Sequence, residues 1–171
     1  MAIRHIAEDL RTHREGLLAQ GFWALLVYRL SEPRTRIRSR IVRVPYFVLN
    51  RLAQKFIEMT CGIHLPESTV VGRRLNIEHF GGIIIHGRCV IGDDVTIRQG
   101  VTLGNKGAGE LAGAPRIGNR VDIGAGAKII GDVTIGDDAR IGANAVVLSD
   151  VPAGALAVGV PARIIPAKTP L

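Results

Sequence analysis

From Ile117 to Val147 the chain reads IGNRVDIGAGAKIIGDVTIGDDARIGANAVV, with Ile117, Ile123, Ile129, Ile135, Ile141 and Val147 on every sixth position. Four residues after each of these stands a small or β-branched residue: Val121, Ala127, Val133, Ala139, Ala145 and Val151. The same register runs upstream through Leu65, Val71 and Ile77, then Ile85, Ile91, Ile97 and Leu103, with Thr69, Val95 and Val101 in the second position. Alternation by two would describe an ordinary strand and a period of 3.6 a helix. A period of six predicts a parallel β-solenoid, with three short flat strands per coil and a turn closing each. Gly72, Gly92, Gly118, Gly124, Gly136 and Gly142 follow the inward aliphatic, where a tight corner leaves little room for a side chain and asks for unusual backbone angles.

The period fails twice. It slips by two between Ile77 and Ile85, within Phe80-Gly81-Gly82, and by eight between Leu103 and Ile117, across GNKGAGELAGAPR. Insertions in a solenoid map to loops on one face, and such loops shape binding sites. His79 stands beside the first slip.

Composition agrees with stacked, regular layers. The chain has 171 residues, 47% hydrophobic but only 4% aromatic, so its core must be built from Ile, Val, Leu and Ala. The formal net charge of +7 is unevenly placed. Met1 to His64 holds 11 Lys and Arg against 5 Asp and Glu, whereas Leu65 to Leu171 holds 11 against 10. Cys61 and Cys89 have neither a disulfide framework nor metal-ligand spacing, which predicts a reducing compartment and no metal. No secretory signal and no apolar run approaching the ~20 residues of a membrane span is visible. The expectation is a cytoplasmic protein.

The N-terminal segment reads as helical. Ile3, Ile6 and Leu10 share a face with Glu8 and Asp9 opposite, and His5 and His13 are expected at the surface. Gln20 to Leu30 is apolar enough to be mostly buried, with Phe22, Trp23, Leu25, Leu26 and Tyr28, and Pro33 ends it or lies just beyond. Arg34, Arg36, Arg38, Arg40 and Arg43 then lead into the amphipathic run FVLNRLAQKFIEM. These cations are either a solvated helix face or a contact for an anionic membrane surface or an acidic polymer. No motif or series of stacking aromatics points to nucleic acid.

Several segments together resemble the bacterial serine O-acetyltransferases of the left-handed β-helix class. They are the hexapeptide repeats, Asn76-Ile77-Glu78-His79, the run Gln99-Gly100-Val101-Thr102-Leu103-Gly104, the segment IGAGAKIIGDVTIG and the closing Gly159-Val160-Pro161-Ala162-Arg163. The match is free of gaps from about Gly62 to Arg163. The short chain and the segment TIRQGVTLGNKGAG are similar in particular to acetyltransferases of exopolysaccharide biosynthesis, such as those of colanic acid clusters. The resemblance implies a mainly β fold, a left-handed parallel β-helix over 63–163, preceded by a helical segment (1–62) and followed by a tail (164–171). It implies an acyltransferase using acetyl-CoA, assembled as a homotrimer with each active site between two solenoids.

Carried over residue by residue, the resemblance makes His79 the general base, with Glu78 as its acidic neighbour, and places the CoA groove at Gly104, Ala125, Arg140 and Ala143. The family's aspartate that orients the catalytic histidine aligns with His64, and two basic residues that hold serine align with Gly113 and Ala114. His64 either orients His79, touches the acceptor or caps the exit of the helical segment. Glu78 either orients His79, binds the acceptor or is a solvated carboxylate, since neighbours on a strand point to opposite faces. His86 is read as a turn residue. Lys106, Arg116 and Lys128 are read as solvated cations rather than phosphate ligands.

The chemistry fits a histidine. An alcohol is a poor nucleophile at neutral pH, and histidine, with an ordinary pKa near 6.5, offers free base there. A backbone N–H near Gly104 or Gly81-Gly82 would serve the oxyanion. The expected activity is O-acetyl transfer to a sugar of an exopolysaccharide precursor, with serine O-acetylation as the alternative and a non-catalytic trimeric scaffold as the third possibility. The basic N-terminal segment suits an acceptor at the inner face of a membrane.

Overall fold

Two inward residues per six are enough to define a face but not to sustain a long strand, and the chain answers with many strands of two or three residues. The computed structural model describes residues 2–31, 37, 39–107 and 113–167. Helices α1 (Ala2–Thr12), α2 (Gln20–Ser31) and α3 (Arg40–Cys61) come first. The strands follow as β1 (Ile63–His64), β2 (Val70–Val71), β3 (Asn76–Ile77), β4 (Ile83–Ile85), β5 (Val90–Ile91), β6 (Thr96–Ile97) and β7 (Thr102–Gly104). After the inserted loop come β8 (Arg116–Ile117), β9 (Asp122–Ile123), β10 (Lys128–Ile130), β11 (Thr134–Ile135), β12 (Arg140–Ile141), β13 (Val146–Val147), β14 (Leu156–Val158) and β15 (Arg163–Ile165).

Strands three apart pair in parallel, except that β12 pairs with β14, so the coils stack into three sheets: β1-β4-β7-β10-β13, β2-β5-β8-β11 and β3-β6-β9-β12-β14, the last extended by antiparallel β15. The six-residue aliphatics form columns inside this prism. Val71, Ile91, Ile117 and Ile135 line one wall, Ile77, Ile97, Ile123 and Ile141 the second, and Ile85, Leu103, Ile129 and Val147 the third, all buried. Each such side chain contributes about 1.5–3 kcal/mol by leaving water.

Both slips of the period appear as register. Twenty residues separate Ile63 from its partner Ile83, where eighteen separate Ile84 from Thr102. Twenty-six separate Thr102 from Lys128, and the chain returns to eighteen between Lys128 and Val146. The extra residues leave the stack at two corners without disturbing the columns.

The glycines after the inward aliphatics have a different cause from the one their position suggests. None of these six adopts a positive φ; the left-handed residues come two later, at Arg74, Asp94, Arg120, Asp138 and Asn144. What excludes a side chain is the next coil: a Cβ on Gly92 would lie 2.6 Å from the Gly118 carbonyl oxygen, and one on Gly124 2.6 Å from the Ala143 nitrogen. Beside these glycines a ladder of side chains ties coil to coil. Asp93 accepts from the Arg73 N–H at 2.8 Å, Asn119 from Asp93 at 2.9 Å and Asp137 from Asn119 at 2.8 Å.

The first coil has no coil before it, and α1 and α2 supply the missing partners. Tyr28 donates its hydroxyl to the Thr69 carbonyl at 2.7 Å, while Arg29 donates to the carbonyls of Val71 and Gly72. Arg29 also pairs with Asp9 at 3.0 Å, both side chains 1% exposed. His13 accepts from the Ile77 N–H at 3.3 Å through Nε2 and meets the Asp9 carbonyl at 2.8 Å through Nδ1, an arrangement that requires the neutral ring with its proton on Nδ1.

Asp9 and His13 are therefore buried, contrary to the exposed positions expected from the apolar stripe of α1. The edge α1 covers consists of backbone N–H and C=O groups, so its polar side faces inward. Trp23 departs in the other direction. It is exposed, with its indole N–H donating to the Leu17 carbonyl, because Phe22, Leu25 and Tyr28 occupy the face of α2 that meets the coil. Pro33, Arg34, Arg36 and Arg38 lie outside the described residues.

Replacing Asp9 with Ala strands the Arg29 charge, and removing one partner of a buried pair costs about 3–5 kcal/mol. Equilibrium urea unfolding should register that loss, whereas Asp138→Ala, at the exposed pair with Arg120, should shift stability by less than about 1 kcal/mol.

Candidate active site

The corner between the β3 and β4 walls carries His79. Strand β3 ends at Ile77, and the slip Phe80-Gly81-Gly82 widens the turn before β4, leaving His79 exposed and Phe80 half exposed. Gly81 and Gly82 take φ values of 100° and 64°, which the wide turn requires and L side chains resist. The corner repeats down the prism through backbone bonds. Gly100 donates to Gly81, Gly126 to Gln99 and Asn144 to Ala125, each at 2.8 Å.

This edge collects part of the expected site. Ala125 and Ala143 lie on the His79 corner one and two coils beyond Gln99, their small side chains leaving the backbone accessible along the edge. Gly104 does not share it: as the last residue of β7, paired with Ile130, it sits at the opposite end of that wall. Arg140 is exposed on β12, between Asp122 and Leu156. Within one protomer the four positions of the expected groove occupy more than one edge of the prism.

Among the described residues Glu78 makes no hydrogen bond to His79. Its carboxylate meets Arg98 at 2.6 Å, and Arg98 bridges onward to Asp122. Burial works against the charge on Arg98, but the hydrogen bonds it donates to Asp122 and Glu78, with the attraction of both carboxylates, outweigh it and the guanidinium pKa is raised. Arg98 was legible in outline. The pairing of Ile77 with Ile97 puts residues 78 and 98 on adjacent coils, a coincidence that appears in the sequence once the slip of two is allowed.

His64 faces another neighbourhood. Its Nδ1 lies 3.1 Å from Glu58, and it lines a cavity between α2, α3 and β1, whereas His79 lines a separate one. The Lys55 ammonium, with the His64 ring nearby, holds the Glu58 carboxyl below the usual range. Among the described residues no hydrogen bond joins His64 to His79, and none reaches the His79 ring. His86 is a turn residue, its Nδ1 accepting from the Arg88 N–H at 3.3 Å. Lys128 is not simply solvated; it donates to the Gly100 carbonyl.

The cavity at His79 has a volume of about 290 Å³ and lies between β3 and the junction of α1 with α2. It brings Arg14, Glu15, Gln20 and Asn76 toward His79 and Phe80. The helical residues carry no repeat signature, so the six-residue period could not announce them. The positions aligned with serine-holding cations are filled differently. A Cβ on Gly113 would fall 2.2 Å from that of Asp132, and Ala114 is buried. Among the described residues no group of three or more His, Cys, Asp or Glu is arranged to hold a metal ion.

Known proteins share both the sequence pattern and this architecture. The hexapeptide model described as "Bacterial transferase hexapeptide (six repeats)" matches residues 114–149. A serine acetyltransferase of Helicobacter pylori (strain J99) is 46% identical over 149 residues, covering 87% of this chain and 83% of its own length. The chain belongs to the hexapeptide-repeat acetyltransferases. The Escherichia coli (strain K12) protein WcaB, named for an acetyltransferase of colanic acid biosynthesis, is 37% identical over 162 residues, or 92% of this chain and 96% of its own. A solved serine acetyltransferase in complex with CoA superposes with a TM-score of 0.78 at 32% identity, covering 96% of this chain and 69% of that one. The hexapeptide-repeat acetyltransferases of this type build the left-handed β-helix, and the present chain is an acyltransferase with that fold.

Cysteine chemistry has no place at this site. Cys89 is buried in the prism, and burial pushes its thiol up to about 11. At pH 8 the native protein should give no iodoacetamide adduct at Cys89 by mass spectrometry, and unfolding in urea should expose it to rapid alkylation.

Proposed function

We propose that the chain transfers acetyl from acetyl-CoA to a hydroxyl of a sugar in an exopolysaccharide precursor, with His79 as the general base. The observation that carries the sugar assignment is the pairing of Glu78 with Arg98. A free amino acid brings an ammonium and a carboxylate, and the carboxylate next to His79 is already neutralised. The packing at Gly113 and Ala114 leaves no cation there for the acid group. What the cavity offers is Gln20 and Asn76 as amides and Phe80 as an exposed ring against which the apolar face of a pyranose can lie.

In the proposed reaction the His79 imidazole takes the hydroxyl proton as the acceptor oxygen attacks the thioester carbonyl carbon. The carbon–sulfur bond then breaks, the acetyl ester remains on the acceptor and the proton passes to the departing CoA sulfur. Gly81 and Gly82 suit the oxyanion. Their N–H groups have no backbone acceptor among the described residues and sit one turn from the base. Ala125 and Ala143 fit the pantetheine arm, since two small residues on one edge let a ligand approach the backbone. Gly104, on another edge, would meet the same donor only across the gap between two protomers, which favours a trimer with solenoids side by side. Arg140 is the cation we assign to the nucleotide end.

Serine O-acetylation is the second reading. The identity to the Helicobacter pylori enzyme supports it, and so do Arg14 and Glu15, a cation and a carboxylate at the rim of the same cavity. Under either reading the helical segment faces the acceptor, and its basic residues suit a site at the inner face of a membrane.

His79→Ala should lower acetyl-CoA turnover by about 10²–10⁴-fold, the usual contribution of a positioned base, while calorimetric CoA binding is unchanged. Turnover near the wild-type rate would remove His79 from the mechanism. Parallel assays with L-serine and with nucleotide sugars or oligosaccharide repeat units decide the acceptor; efficient serine acetylation without sugar acetylation would overturn the sugar assignment.

A further inference from the structure

Helix α3 turns a mixed face inward, with Cys61 buried, Ile57 packed against the core and two polar side chains tied to α2. Tyr46 donates to the Leu30 carbonyl, and Asn50 donates to the Val27 carbonyl at 3.1 Å. The opposite side exposes Ile41 (87%), Val48, Leu52, Phe56 (65%) and Met59 (79%). At 100° per residue these five fall within one stripe, which runs for about 27 Å at 1.5 Å per residue. Arg40, Arg51 and Lys55 border the stripe along one side. Arg40 and Arg51 have no ion-pair partner among the described residues, and the helix holds a single acid, Glu58, engaged by Lys55 and His64. A contiguous apolar surface of this kind marks an interaction site.

We propose that this stripe seats the protein on an anionic phospholipid bilayer, with α3 lying in the interfacial plane. The choice of occupant follows from charge. A bilayer rich in anionic lipid offers apolar depth to the stripe and counter-charge to its basic border, the pattern of an in-plane amphipathic helix. A second copy packed α3 against α3 would instead bring Arg40, Arg51 and Lys55 against like charges. The asymmetry of the whole chain points the same way, since residues up to His64 carry 11 cations against 5 acids and the remainder is nearly balanced. No described helix is long and apolar enough to cross a membrane, so α3 lies on the surface rather than spanning it.

A second feature adjoins the same border. Arg51, Lys55 and Gln54 line the cavity of about 480 Å³ between α2, α3 and β1, and the buried Gln54 Nε2 has no hydrogen-bond partner. A lipid phosphate reaching past the basic border would supply an acceptor. The inference deepens the membrane-facing part of the proposed function but needs neither the acceptor nor turnover for its test.

The full-length protein is mixed with sucrose-loaded vesicles of phosphatidylcholine alone or with phosphatidylglycerol, at low and high salt, and sedimented. The bound fraction should rise at least about tenfold with phosphatidylglycerol and fall at high salt, as for other basic amphipathic surfaces. Arg40→Glu with Arg51→Glu, and separately Leu52→Ser with Phe56→Ser, should each abolish sedimentation with vesicles while melting temperature and oligomeric state stay unchanged. His79→Ala should bind vesicles like the wild type, which separates this outcome from failure of the catalytic proposal. Absence of wild-type binding to phosphatidylglycerol vesicles would overturn the proposal. So would dissociation of the oligomer by Leu52→Ser with Phe56→Ser, since the stripe would then be covered by another copy.

Discussion

The open edge of the first coil is the constraint on which the rest of the structure depends. Within the prism each strand between the terminal coils satisfies its backbone on the coil above and the coil below, and antiparallel β15 covers β14 at the far end. The first coil has one neighbour only. Its unpaired N–H and C=O groups would be costly under a covering helix that brought only hydrocarbon. Tyr28, Arg29 and His13 meet that need, and Asp9 makes the burial of Arg29 tolerable by pairing with it. Terminal capping of this kind is what a solenoid requires in order to begin.

The same constraint shapes the site. His13 holds the N–H of Ile77, two residues before His79, and Gly21 allows α2 to approach so closely that a Cβ there would lie 2.5 Å from the Ile77 carbonyl oxygen. The helices that close the coil thus also form one wall of the cavity at His79. Part of the cap, His13 and Gly21, and the lining of the proposed acceptor site share one short segment, Thr12 to Gly21. Substitutions there would couple stability to acceptor use in a way that changes farther along the prism would not.

All three helices carry polar groups on the side that faces inward, beside apolar residues such as Leu25 and Cys61. Where α1 and α2 meet the coil edge they offer charged and hydroxyl groups, and α3 turns Tyr46 and Asn50 toward α2. An amphipathic helix normally hides its apolar stripe in the core. Here the prism fills most of its interior with its own aliphatic columns, and the helices cover a backbone edge as well as joining the core through Ala24, Leu25, Tyr28 and Cys61. Their remaining apolar residues, Ile41 through Met59 above all, are left facing outward.

The sequence alone determined the prism. A six-residue period can be satisfied in few ways, and it located the two slips, the columns from Val71 to Val147 and the corner on which His79 stands, because each is a local consequence of spacing. It also suggested the acetyltransferase resemblance that related proteins bear out. Only the tertiary structure decided which side chains meet. Glu78 turns to Arg98 because the slip of two sets their coils in register, and Gly104 leaves the His79 edge because a three-residue strand carries the chain to the next corner. Asp9 and His13 are buried because the surface beneath them is backbone, a fact about what a helix covers that no pattern within the helix can express.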